Sequence, residues 1–201
     1  MDEALCSILC GEDYWHYYSG SRSIKFNSDG TGELLCQLEL IPYICAQLEW
    51  QSTKRPSLTN ETPRSNEPQI LGEVELEITL KRMLPERFSP QEKEKWGWIN
   101  ASTLHDDAFK PKLFKVRIER GHFMEPIYLS SQRVTRYSLL LIFDQSPFSI
   151  ESQWNHPEGG PESNEFWNHK EFVGRKDPTL ERQGRAMNDT SPWRWNECVV
   201  S

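Results

Sequence analysis

The stretch Arg22-Ser-Ile-Lys-Phe-Asn-Ser-Asp-Gly-Thr-Gly-Glu-Leu-Leu-Cys-Gln-Leu-Glu-Leu40 decides how the rest of the chain is read. Ile24 and Phe26 alternate with Lys25 and Asn27. After Asp29-Gly30, Leu34, Cys36, Leu38 and Leu40 alternate with mostly polar neighbours. A period of two marks a half-buried strand, because successive side chains leave opposite faces of a sheet. Asp-Gly between two such runs predicts a hairpin, glycine accepting the positive φ that a tight turn requires.

The same pattern recurs on both sides. Ala4 to Leu9 is a short apolar run stopped by Gly11, read as a helical turn or two that plugs one end of a barrel. Gly11 to Tyr18 is dense in aromatics and suits a first strand. Tyr43 to Gln51 alternates Ile44, Ala46, Leu48 and Trp50 against polar neighbours, with Pro42 at its start. Glu73 to Lys81 places Val74, Leu76, Ile78 and Leu80 on one face and three glutamates on the other, a face expected to meet water. Lys112 to Glu119, Phe123 to Leu129 and Arg136 to Asp144 complete the expected set, with Gly121-His122 as a turn between the first two. The apolar run of the last suits a strand covered on both sides.

Between the strands, Ser52 to Gly72 holds three prolines among polar residues and predicts a mobile loop. Ser89-Pro90-Gln91-Glu92 carries the capping-box spacing of a helix start, and Gly97 its stop. Ser163 to Val173 reads as a late helix. About eight short antiparallel strands with short helices and a C-terminal helix predict a mainly β chain closed as an up-and-down barrel, which removes exposed sheet edges. The domain is expected over residues 1–174 and an extended tail over 175–201, docked only if Trp193 and Trp195 find a surface.

Composition narrows the function. The 201 residues carry a net charge of -7 with basic residues scattered, which argues against a nucleic-acid partner needing a basic stripe. Hydrophobic residues are 36% of the chain, and mean hydropathy is -0.71, yet there are eight tryptophans, nine phenylalanines and six tyrosines. A few such rings supply much of a core or line a pocket. Five widely spaced cysteines, an acidic N-terminus without a signal-peptide pattern and no apolar run of about 20 residues predict reduced thiols, a cytoplasmic location and no membrane span. Cys36 and Cys45, within strands, are expected to be inert core thiols. The sequons at Asn60, Asn100 and Asn188 are read as chance.

Gly11-Glu12-Asp13-Tyr14-Trp15 resembles a loosened form of the Gly-x-Trp signature that opens lipocalins. The run Ile24 to Gly32, followed by Leu48-Glu49-Trp50, is similar to lipocalin-like (calycin) domains of microbial and fungal type, over roughly residues 9–80. The resemblance implies a β-barrel with an internal cavity for a small hydrophobic molecule. It also implies that a minority of such barrels act as cofactor-independent isomerases or cyclases.

No dinucleotide, Walker, zincin or nucleophile-elbow motif occurs, and no cofactor or metal is expected. His105-Asp106-Asp107 is read as a helix cap in preference to metal ligands. Trp15, Phe26, Trp50, Phe114 and Phe143 are the candidate ligand-binding residues, Trp50 serving equally well as a core residue. Glu125 and Tyr137 are the candidate catalytic pair. Alternation places Glu125 among Phe123, Ile127 and Leu129, where desolvation would raise its pKa for proton transfer, unless Pro126 bulges the strand and turns it to solvent. Tyr137 shares its predicted face with Leu139, Leu141 and Phe143, and its hydroxyl either orients a ligand or bonds to backbone. The leading expectation is binding of a small hydrophobic molecule within the barrel. The alternative is an isomerase or cyclase of a hydrophobic biosynthetic intermediate, and the third is a protein-interaction module using the glutamate face or the tail.

Overall fold

The computed structural model of the chain describes residues 3–39, 41–53, 68–128 and 135–179. The hairpin forms as read: β2 (Arg22–Phe26) pairs with β3 (Thr31–Leu38) in register, Ile24 opposite Leu34 and Phe26 opposite Gly32. The loop between them runs through Asn27–Gly30, and Gly30 adopts the left-handed φ of 84° that its sequence position predicts. Gly32 is required for a different reason. A Cβ there would lie 2.8 Å from Leu48 Cδ1 and closer still to the Lys25 carbonyl, so the strands could not approach as they do.

Around this hairpin the sheet closes on itself. In chain order the strands are β1 (Trp15–Tyr18), β2, β3, β4 (Ile41–Ser52), β5 (Gln69–Leu80), β6 (Lys112–Phe123), β7 (Tyr137–Phe143) and β8 (Glu171–Lys176). Each pairs antiparallel with the next, and β8 returns to β1 through His16 opposite Val173, giving a closed barrel. Closure removes the sheet's end strands, leaving the early part of β4 without a strand on its β5 side. Inward residues at every second position build one core: Trp15, Ile24, Phe26, Leu34, Leu48, Val116, Leu141 and Phe172 belong to it. The outward face of β5 is charged, with Glu73 opposite Arg117 and Glu75 opposite Lys115, so the glutamates meet cations and water.

Helix α1 (Glu3–Cys10) lays Leu5 and Leu9 against the core at one end, and the Trp15 indole N–H donates to the Leu9 carbonyl at 2.9 Å. At the opposite end lie the β1–β2 turn, the 81–111 connection and the 144–170 connection. Helix α2 (Pro90–Trp96) has the predicted capping box: Ser89 Oγ accepts from the Glu92 N–H, and the Glu92 carboxylate accepts from the Ser89 N–H at 2.8 Å. Helix α3 (Ile99–Thr103) follows it, and α4 (Gly160–Asn164) lies in the last connection.

Several expectations are corrected. Gly121-His122 makes no turn; β6 continues to Phe123, bulging between Arg120 and Phe123. The segment expected as a strand from Phe123 instead enters a 3-10 turn at Pro126–Tyr128, since Pro126 cannot donate to a ladder. The late helix over 163–173 is replaced by α4, a 3-10 turn at Phe166–Asn168 and strand β8. Phe172 and Val173 there point to opposite faces and are both buried, one in the barrel core and one on its outer wall. The barrel therefore extends to Lys176, past the expected boundary at 174. Pro42 lies inside β4, at a register shift opposite Gln37. The expected mobile loop is shortened to what separates Ser52 from Gln69, and residues 54–67 of it lie outside the described residues. So do Trp193 and Trp195 of the tail.

Candidate functional site

All five candidate ligand-contacting aromatics belong to the buried core. Trp15, Phe26, Phe114 and Phe143 are buried and engaged with other rings or with α1: Phe114 meets Phe143 edge-on at 5.8 Å between centroids, and Phe143 meets Phe172 at 5.7 Å. Such edge-to-face contacts fill space at interior density. The interior residues that the sequence assigns to a cavity wall are thus packed against one another.

Trp50 has a second surface. Phe26 packs edge-on against its ring at 5.5 Å, and its indole N–H donates to the Asn27 and Thr31 carbonyls at 3.1 and 3.0 Å, tying the β2–β3 loop to β4. Trp50 also borders a cleft of about 510 Å³ between α1 and that loop; its surface is mostly apolar, with Cys6, Cys10 and Gln51 beside Trp50, and the Glu3 and Asp29 carboxylates also line it. Cys6 and Cys10 are one helical turn apart, so both side chains reach the same face of α1. Burial pushes the Cys10 thiol up, and the Asp29 carboxylate adds to it, so the group is a neutral apolar wall and not a thiolate nucleophile. Burial also raises the Cys36 thiol well above its ordinary value and Cys45 to about 11, as expected of inert core thiols.

The candidate catalytic pair does come together. Glu125 is 3% exposed, and its Oε1 accepts from the Tyr137 hydroxyl at 2.7 Å and from the Ser19 hydroxyl. Ser19 Oγ and Tyr137 Oη lie 3.1 Å apart, so two hydroxyls meet at one carboxylate oxygen. Their location differs from the expected one. Tyr137 packs with Leu140 and Val173 in a cluster separate from the barrel core, and not with Leu139, Leu141 and Phe143. His16, beside Glu125, pairs with Ser23 and Val173 on the strand face opposite the core residue Trp15. The network therefore lies against the outer wall, under the segment that follows β6. Pro126 does end the ladder, yet Glu125 stays buried because the 3-10 turn folds back onto β1. Burial draws the His16 imidazole below its ordinary value, with Glu125 pulling upward and Lys176 reinforcing the decrease; its Nδ1 has no hydrogen-bond partner.

Ser19 and Lys112 were not singled out from sequence. Lys112 Nζ donates to Ser149 Oγ at 3.0 Å and Gln153 Oε1 at 2.7 Å, and burial with no counter-charge brings its ammonium down to about 8. It borders a depression of about 480 Å³. His105 sits at the N-cap position of a 3-10 turn without a side-chain capping bond, while Asp106 and Asp107 pair with Arg82 and Lys110. Among the described residues no three His, Cys, Asp or Glu side chains converge as a metal site, and no helix is long and apolar enough to cross a membrane.

Fold and site together define a closed eight-stranded antiparallel β-barrel with a packed interior and a mostly apolar cleft at its helix-covered mouth. No family model matches the chain, and neither a curated protein nor a solved structure shows significant similarity to it.

Proposed function

We propose that the protein binds a small, predominantly hydrophobic molecule, held at the α1-covered mouth of the barrel instead of deep inside it. The observation that carries this reading is the cleft bordered by Trp50, Cys6 and Cys10, whose volume of about 510 Å³ lies in the range of small-molecule sites. The Trp50 N–H is committed to two backbone carbonyls, so a ligand meets the indole as an apolar surface. Affinity then follows buried apolar area, and selectivity follows shape. The reading agrees with what a lipocalin-like resemblance implies for ligand class.

The test is titration with N-phenyl-1-naphthylamine, followed by probe emission and tryptophan quenching. Ser7 is an exposed residue of α1 at the cleft. Ser7→Trp should fill the space and weaken uptake by about tenfold or more, the scale of one lost apolar contact surface. Uptake that is absent, or unchanged in Ser7→Trp, refutes this site. Native mass spectrometry of protein from its own source would then name any retained compound.

A cofactor-independent isomerase or cyclase is the second reading, favoured by the Glu125–Tyr137–Ser19 network, in which a carboxylate and two hydroxyls can exchange a proton. Turnover of a retained compound that Glu125→Gln abolishes without weakening its binding would establish it.

A further inference from the structure

The end of the barrel away from α1 contains a buried positive charge that no described carboxylate neutralises. Arg22 opens β2 in the same parity as Ile24 and Phe26, which sends its side chain to the core side of the sheet, and it is 4% exposed. Its Nη2 donates to the side-chain oxygen of Asn164 at 2.8 Å, and its guanidinium lies 5.1 Å from the Phe166 ring centroid and 5.8 Å from that of Tyr17. Its Nε is buried without a hydrogen-bond partner, and no described carboxylate pairs with it.

His169 belongs to the same cluster. It is 5% exposed and stacks on Tyr17 at 3.7 Å between centroids and 11° between planes. Its ring bonds to the main-chain carbonyl of Asn164, leaving Nδ1 buried and without a partner. Arg22 and His169 thus share Tyr17, Asn164 and Phe166 as neighbours, and each keeps one unsatisfied nitrogen.

Three other cations of this chain show the usual solution. Arg175 pairs with Glu12, Arg87 with Glu33 and Lys81 with Glu49, all of them more exposed than Arg22. A guanidinium cannot shed its proton inside a protein. Ring contacts return less than a buried, unpaired charge costs. An apolar residue at position 22 would pack more favourably unless the charge has a use.

We infer that Arg22 and His169 form a binding site for a small carboxylate at the end of the barrel opposite α1. One carboxylate oxygen accepts from Arg22 Nε–H. The other accepts from His169 Nδ1–H once the imidazole has taken a proton from solvent, so binding is accompanied by proton uptake and no covalent bond changes. The charged and titratable groups around the pair favour this order. Burial first, and Arg22 second, hold the unliganded imidazole neutral, and an anion between the two side chains offsets the contribution of Arg22. Tyr17 and Cys36 are kept neutral by burial, Tyr18 borders Arg22, and Glu171 is an exposed anion near Tyr17. The packed aromatic core separates this site from the α1 mouth, so it stands or falls independently of the apolar cleft.

The test uses the whole chain with acetate and inorganic phosphate as probes, reading the Arg22 Nε–H and His169 ring resonances by NMR. Acetate should shift both saturably, binding about tenfold more tightly near pH 5.5 than near pH 7.5. Arg22→Lys, which keeps the charge but loses Nε–H, should weaken acetate by about tenfold. His169→Gln should still bind but lose the pH dependence. No saturable shift with either probe, or binding of phosphate without acetate, overturns the assignment. So does an Arg22→Met variant that is more stable than the parent and binds acetate equally well.

Discussion

Asn100 offers the sharpest test of how this barrel is held closed. β5 ends at Leu80, opposite Leu48, so the early part of β4 has no strand beyond it on that side. Asn100 of α3 stands in for one. Its Oδ1 accepts from the Cys45 N–H at 2.8 Å, and its Nδ2 donates to the Cys45 carbonyl at 2.8 Å and the Arg82 carbonyl at 3.0 Å. The residue is 0% exposed. Asn100→Ala strands the Cys45 N–H and carbonyl in the interior and removes the Asn100 donor from the Arg82 carbonyl. Each buried orphan costs about 1–3 kcal/mol, so the total loss should be about 3 kcal/mol. That is a large part of the 5–15 kcal/mol typical of a domain. The control is Asn155→Ala, which removes an exposed bond to the Ser102 carbonyl at 2.8 Å and should cost under about 1 kcal/mol because water replaces it. Urea unfolding followed by tryptophan fluorescence measures both. If the two variants lose the same stability, the side chain is not a substitute strand, and the reasoning fails.

Three further outcomes are expected. Burial and Arg22 hold the neutral His169 imidazole at about 4. Between roughly pH 6.5 and 4 the unfolded chain then binds the proton that the folded one refuses, so stability falls as pH falls. The parent should lose about 2 kcal/mol more than His169→Gln between about pH 7 and 5, and equal urea-midpoint slopes would refute this. Glu125→Ala removes the acceptor of two hydroxyls and should cost about 2–3 kcal/mol while releasing the segment after β6 to proteolysis; unchanged protection there would count against the network. Lys112, depressed to about 8, should react with trinitrobenzenesulfonate at neutral pH ahead of the exposed lysines, as peptide mass mapping would show; simultaneous labelling would argue against its burial.

Local information carried much of the architecture. The alternation in β2, β3, β4 and β5 identified the inward faces, because a two-residue period and a one-sided core are the same physical statement. The Ser89–Glu92 capping box needed only four adjacent residues, and Gly30 only its own φ. The parity of Arg22 with Ile24 and Phe26 already marked a cation on a buried face, a signal present in the sequence and not drawn from it. Trp50 was legible as an aromatic on the inward face, but its contact with the α1 cleft was not.

What the tertiary structure alone decided depends on distant partners. Phe166, Trp167, Lys170 and Phe172 have acceptable helical spacing, yet Phe172 and Val173 became part of β8 because β7 and β1 offer ladder bonds on both sides. Gly121-His122 looked like a turn, but β7 pairs with β6 up to Phe123 and keeps it extended. Alternation predicts Glu125 and Tyr137 on a shared lumen, and they meet on the outer wall, since the chain folds back after Pro126 instead of continuing a strand. In sequence Asn100 is only a chance sequon; its role comes from the stretch of β4 that has no neighbouring strand there. A period of two states that a strand has a buried face. Which strand it pairs with, and what lies across that face, is set by contacts between residues far apart in sequence, and no window along the chain contains them.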